Sequence, residues 1–329
     1  MKPFTYFRAQ NADEAMVQIR KPDSKFLGGG TNLIDLMKMG VEQPSHLVDI
    51  TRLPLTQITE YQGGVRIGAA VRNSDAANHA LIRTRYPLLT QAMLSGATAQ
   101  LRNMATMGGN LLQRTRCYYF YDPTLGECNK RNPGTGCAAK TGVNRLHAIL
   151  GTSEDCIATN PSDMNVALAA LDAVIQVSGP QGDRAIPILE FHRLPGKTPE
   201  VDTNLKVGEL ITAIDLPAMP FATRCTYLKT RDRSSYAFAI VSVAAAIDVD
   251  SGNTIRNARV ALGGVAHKPW RVPAAESFLT GKKAGEPAYR EAAGLLLQGA
   301  KGYGHNDFKV ELARRSIVRA LTDAAAVRV

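Results

Sequence analysis

The sequence predicts an α+β fold: a first half in which strands and helices alternate, and a second half in which strands come first and helices follow. Three observations carry this. Up to about residue 50, short apolar runs alternate with amphipathic stretches. From Glu209 to Leu262 strand-like runs succeed one another with no helical pattern between them. From Ala274 to Ala325 three helical patterns follow. At 329 residues the chain is long enough for two or three domains with a sizeable core.

The elements are expected in this order. Phe4–Arg8 forms a strand, and Asn11–Arg20 a helix opened by Asn11 or Asp13. Strand Lys25–Leu27, helix Leu33–Met39 and strand Leu47–Ile50 complete a small α/β unit, residues 1–55. A second unit, residues 56–180, opens with Gly64–Ala70, where Val65 and Ile67 alternate with other residues. Helices near Ser74–Ile82 and Pro87–Leu94 follow, the latter with proline in its first turn. Helix Met164–Leu171 and strand Ala173–Val177 close the unit, and the turn Gly179-Pro180-Gln181-Gly182-Asp183 is expected as a domain boundary. Residues 181–329 carry strands Glu209–Leu216, Cys225–Thr230, Ala237–Val249 and Thr254–Leu262. The last two pair through Asp250-Ser251-Gly252-Asn253. Helices Ala274–Leu279, Pro287–Leu297 and Asp307–Ala325 end the chain, and Trp270 is expected as a packing anchor.

The net charge of +10 admits nucleic acid as a partner, but only 6% of residues are aromatic and they do not interleave with basic ones. The positive charge is instead expected to serve anionic cofactors or acidic partners. No apolar run reaches membrane-spanning length. Met1-Lys2-Pro3-Phe4 leads straight into a strand, so assembly is expected in the cytoplasm, with periplasmic export only alongside a signal-bearing partner.

Four of the five cysteines, Cys117, Cys128, Cys137 and Cys156, fall in one loop-rich stretch, residues 114–157. Arg114, Arg116, Lys130, Arg131, Lys140 and Arg145 surround them, against only Asp122 and Glu127 before Cys137. Positive charge favours thiolates, and a [4Fe–4S] cluster needs four of them. The spacings C-x10-C, x8-C and x18-C match neither the compact ferredoxin run nor a zinc knuckle. Two disulfides, or plain buried thiols, remain open at this point. The six histidines form no ligand pair, and His147 alone lies inside the cysteine stretch, where it could support a ligand.

Lys25-Phe26-Leu27-Gly28-Gly29-Gly30-Thr31-Asn32-Leu33 reads as strand, triple glycine and helix start. Such a turn lets backbone N–H groups approach an anion such as a diphosphate. It is neither a nicotinamide-type fingerprint, which needs glycine at Leu33, nor a P-loop. A second glycine turn, Thr106-Met107-Gly108-Gly109-Asn110-Leu111, and the turn Asn160-Pro161-Ser162-Asp163 suggest a ligand long enough to need several loops.

These turns resemble the flavin-binding medium subunit of molybdenum hydroxylases, the xanthine dehydrogenase family. So do Tyr227-Leu228-Lys229, Ser235 to Ala244 and Ala261 to Ala266, and the likeness spans essentially the whole chain. The cysteine stretch, with Arg114-Thr115-Arg116-Cys117, Cys128-Asn129-Lys130-Arg131 and Gly136-Cys137-Ala138-Ala139, looks like the iron–sulfur branch of bacterial, periplasmic-type aldehyde oxidoreductases. The 4-hydroxybenzoyl-CoA reductase flavoprotein is a more distant match, as are the xanthine and CO dehydrogenase types. The resemblance implies a two-part FAD-binding domain of the vanillyl-alcohol-oxidase and molybdopterin-dehydrogenase type, then a C-terminal antiparallel sheet with helices like that of CO dehydrogenase flavoproteins.

It further implies that Lys25 to Leu33 cradle the FAD diphosphate, with Thr106, Gly109 and Asn110 as the second loop on the cofactor. Asp163 is expected at the adenosine end, Lys229 close to the flavin ring, and Ile157 also among the FAD contacts. Cys117, Cys128, Cys137 and Cys156 become [4Fe–4S] ligands, and Cys225 has no role. Aldehyde oxidation itself would occur on a large molybdenum-cofactor subunit. Electrons would arrive through two [2Fe–2S] clusters of a small subunit and leave from FAD to oxygen or another acceptor. No catalytic residue is expected on this chain. Two other readings are a nucleic-acid protein with a structural cluster and a stand-alone flavin oxidase; the first leaves the glycine turns unexplained, and the second lacks an identifiable base.

Overall fold

The structure, a computed structural model, describes residues 1–221 and 223–327; the last two residues of the expected C-terminal domain lie outside it. The first sheet is parallel, built from β1 (Thr5–Arg8), β2 (Ser24–Leu27) and β3 (His46–Asp49) in the order β1-β3-β2. Helices Ala12–Gln18 and Leu33–Lys38 make the crossovers that parallel strands require. The first starts where it does because the Asn11 side chain accepts from Glu14 N–H while Glu14 accepts from Gln10 N–H, a reciprocal cap.

The second sheet is antiparallel: β4 (Ile58–Tyr61), β5 (Gly64–Gly68), β6 (Val174–Gly179), β7 (Gly182–Pro187) and β8 (Leu210–Leu216) in the order β4-β5-β8-β6-β7. The Gly179–Asp183 turn is therefore a hairpin inside this sheet, not a boundary, and β8 belongs here rather than with the strands after it. The same Gly-Pro-X-Gly chemistry serves a linker or a hairpin, and only the partner of the next strand decides between them.

The third sheet follows, with β9 (Cys225–Thr230), β10 (Val241–Val249), β11 (Ile255–Gly263) and β12 (Trp270–Arg271) in the order β9-β10-β11-β12. Its central strand divides two cores by simple alternation. Ala244 and Ala246 join the core around the buried helix Asp163–Ala170, whereas Val243, Ala245 and Ile247 join the core under the C-terminal helices. Those helices are Pro273–Leu279, Glu286–Leu296 and Phe308–Ala326. A strand buried on both faces explains why β10 reads as an almost unbroken apolar run. Trp270 donates its indole N–H to Leu296 C=O at 3.0 Å, fixing the edge strand to a helix.

One helix and one strand differ from expectation. The pattern at Ser74–Ile82 is two helices, Asn73–Asn78 and Ala80–Arg85, because His79 takes an extended conformation between them. Residues 237–240 precede β10 instead of opening it. Residues 114–157 hold only the short helix Tyr118–Tyr121 and one 3-10 turn, Ala138–Lys140. In the chain this irregular stretch lies between the two glycine turns and the third sheet.

Candidate functional site

The two glycine turns meet backbone to backbone. A Cβ on Gly29 would lie 1.8 Å from the Met104 carbonyl oxygen, and one on Gly28 3.0 Å from Thr106 Oγ1. Gly30 has φ +73°, in the left-handed region that glycine occupies without strain. Thr106 caps the short helix Met107–Leu111 by accepting from Gly109 N–H at 3.1 Å. Glycine at 28 and 29 thus allows the second turn to close against the first.

Along the joined turns runs a cavity of about 430 Å³. Lys25, Phe26, Gly28, Gly29, Gly30, Thr31, Asn32 and Leu33 line it, as do Thr106, Gly109 and Asn110. Leu27 does not line it. Arg114, His192 and Asp202 complete the wall from distant segments, a contribution that no local pattern announces. Asn32 leaves its helix without a side-chain cap; its Oδ1 accepts from Arg114 N–H at 3.0 Å and its amide donates to the Tyr121 hydroxyl at 3.4 Å. The first turn is thereby tied to the cysteine stretch.

The Asn160–Asp163 turn joins through Ser162, whose hydroxyl donates to Asn110 Oδ1 at 2.7 Å and accepts from Asn165 N–H at 3.1 Å. Asp163 follows, buried, with Oδ2 2.7 Å from Lys229 Nζ and Oδ1 accepting from the Tyr227 hydroxyl at 2.7 Å. Burial first, and then the Asp163 charge, raise the Tyr227 pKa well above the usual phenol value. Asp163 and Lys229 thus form one ion pair, so they cannot stand at opposite ends of an extended ligand. Asp163 lines a separate narrow cavity of about 30 Å³ that also touches Arg116, Cys117, His147 and Phe238. Ile157 lines none of these cavities; it is fully buried, and its carbonyl accepts from Ala148 N–H at 2.8 Å.

Cys117, Cys128, Cys137 and Cys156 all line one small cavity of about 10 Å³, with Phe120 and Lys130. Cys128 and Cys137 face each other across an isolated antiparallel bridge. All five cysteines are free thiols, so the two-disulfide reading falls. Burial pushes Cys117 and Cys156 up to about 12 and raises Cys137. Among the described residues, no three His, Cys, Asp or Glu side chains converge as ligands of one metal ion. His147 places Nε2 3.0 Å from Cys117 Sγ, and burial lowers its pKa to about 4, so the ring is neutral.

The basic shell differs from its reading in the sequence. Arg114 pairs with Glu42 and Asp202, Arg116 with Asp35, Lys130 with Asp202, Lys140 with Glu154 and Arg145 with Asp232. Arg131 instead braces the carbonyls of Tyr119, Phe120 and Asp122. Apart from Glu154, which lies in the same stretch, these carboxylates arrive from other segments and are missed when neighbours are counted in sequence.

Comparison with known proteins gives this geometry a family. Residues 2–219 match the FAD binding domain in molybdopterin dehydrogenase, and residues 226–324 match the CO dehydrogenase flavoprotein C-terminal domain. The join falls after β8, not at the Gly179 hairpin. The chain is 50% identical over 329 residues to the aldehyde oxidoreductase FAD-binding subunit PaoB of Escherichia coli (strain K12), covering 99% of each. It is 28% identical to the carbon monoxide dehydrogenase medium chain of Hydrogenophaga pseudoflava, covering 98% of this chain and 96% of that one. A solved structure of carbon monoxide dehydrogenase from the same organism superposes with a TM-score of 0.77 at 27% identity, covering 98% of both chains. The fold is thus shared with these proteins, and the chain belongs to the FAD-binding medium subunits of the molybdenum hydroxylases, as a subunit of an oxidoreductase.

Proposed function

We propose that this chain is the FAD- and [4Fe–4S]-containing electron-transfer subunit of a heterotrimeric molybdenum aldehyde oxidoreductase. The observation that carries the reading is the pair of glycine turns closed on each other beside a cavity of about 430 Å³. Bound FAD would supply one- and two-electron chemistry, linking [2Fe–2S] centres on a small partner subunit to an external acceptor. The chain's own residues do the rest. Glycine at 28, 29 and 109 keeps the cavity floor free of side chains, and Thr106 and Asn110 fix the second turn. Arg114 sets a cation at the wall.

The thiol cavity fits a cuboidal cluster in its donor set. Four cysteines surround one space, and a cuboidal cluster would take one thiolate on each of its four irons. Thiols pushed up in pKa by burial would bind as thiolates, iron replacing each S–H proton and the protons leaving to solvent. Lys130 at the cavity and the neutral His147 beside Cys117 stand where they would support that charge. Free thiols suit assembly in the cytoplasm. The substrate site would lie on a large molybdenum-cofactor subunit, so the aldehyde never meets this chain.

The test is reconstitution. Purified alone, the chain should be yellow-brown, hold flavin and iron, and be bleached by dithionite but not by aldehyde. Adding the large and small subunits should confer aldehyde-dependent bleaching of the flavin. Aldehyde oxidation by the lone, molybdenum-free chain would overturn the proposal.

A further inference from the structure

We infer that Asp202 is a positioning residue that couples the four-thiol cavity to the glycine-turn cavity, so that charge at one is felt at the other. The inference rests on the reading that the larger cavity holds the flavin. Asp202 lines that cavity, and so does Arg114, whose Nε donates to Asp202 Oδ2 at 2.9 Å. The other carboxylate oxygen, Oδ1, accepts from Lys130 Nζ and lies 3.5 Å from His267 Nε2. Lys130 lines the thiol cavity, two residues after Cys128. One carboxylate therefore touches a wall residue of each cavity.

The arrangement is enclosed. The Lys130 side chain is 1% exposed, and apart from Asp202 its ammonium donates to Pro199 C=O at 2.6 Å. A buried ammonium without a carboxylate is costly, so Asp202 fixes where Lys130 sits. A second contact runs alongside. The Arg114 guanidinium lies 4.7 Å over the ring of Phe120, and Phe120 lines the thiol cavity. In such a low-dielectric setting, moving or removing one charge changes the potential at both cavities. Arg114 also meets Glu42, so loss of the Asp202 charge leaves a cation held at the cavity wall with less compensation.

The experiment uses the full chain with its flavin, poised against a redox dye, with the reduced-to-oxidised flavin ratio as readout. Asp202→Asn keeps the shape and removes the charge. It should raise the ratio at fixed poise by roughly tenfold, the order expected for a unit charge across a cavity of this width. Asp202→Glu should restore the ratio. Lys130→Met, which does not touch the glycine-turn cavity, should lower it, and that effect should vanish in the Asp202→Asn background. An unchanged ratio in flavin-replete Asp202→Asn, or simple additivity in the double variant, would overturn the inference. Should Asp202→Asn fail to fold or lose flavin, Lys130→Met decides alone, and an unchanged ratio there sinks it. A wild-type chain without flavin would be a failure of the functional reading itself, and would remove the inference with it.

Discussion

Gly29 shows how one missing atom shapes the site. Its absent Cβ is the space into which the Met104 carbonyl projects, so any side chain forces the two turns apart. Gly29→Ala should lower stability by about 1–3 kcal/mol, as overpacked positions do. It should also yield protein without flavin bands; visible absorption and urea unfolding on one sample check both. Retention of stoichiometric flavin would remove this turn from the cofactor site. The cysteines divide just as cleanly. Cys128 lines the four-thiol cavity, whereas Cys225 is buried on β9 with Gln91 Nε2 3.8 Å from its sulfur. Iron analysis should show Cys128→Ser losing iron and Cys225→Ser keeping it. Four irons per chain in the first variant would refute the ligand set.

At the scale of elements, the segment holding Asp202 matters more than its lack of regular structure suggests. Burial works to raise the Asp202 pKa, but Lys130 and then Arg114 overcome it, holding the group at about 2. A depressed carboxylate contributes stability that is present above its unfolded value, near 3.9, and lost as pH falls through its folded value. The shift corresponds to about 2–3 kcal/mol. The stability difference between wild type and Asp202→Asn should accordingly be constant above pH 4 and shrink toward pH 2 in denaturant titrations. A pH-independent difference would mean that this ion pair does not anchor the segment.

Across the whole molecule, the helix Asp163–Ala170 is buried along its full length in the core to which the second and third sheets both contribute. Its first residue reaches across to Lys229 on β9, with side chains 8% and 4% exposed. Breaking a buried pair by removing one charge costs about 3–5 kcal/mol, because the partner is left uncompensated. Asp163→Asn should therefore destabilise the entire chain on that scale, measured by denaturant unfolding. A loss below about 1 kcal/mol would show that the joint between FAD-binding part and C-terminal sheet lies elsewhere.

Local chemistry alone settled a good deal. The glycine turns, the cap at Asn11, the almost unbroken apolar run of β10 and the three C-terminal helices follow from residue type and spacing, because each depends on contacts within a few positions. Together with the quoted motifs they sufficed for the family resemblance and the expectation of FAD. Tertiary structure decided the rest. It placed β8 beside β6, with Val174 opposite Asp215, and so kept the Gly179 turn inside one sheet. It joined Asp163 to Lys229, which the sequence separates by 66 positions. It supplied Asp202, Glu42 and Asp35 as counter-charges to a stretch that looks basic when read linearly. It gathered four unevenly spaced cysteines round one cavity. Outside the cysteine stretch the partner comes from a distant part of the chain, and only packing brings it within the few ångströms over which hydrogen bonds and ion pairs act.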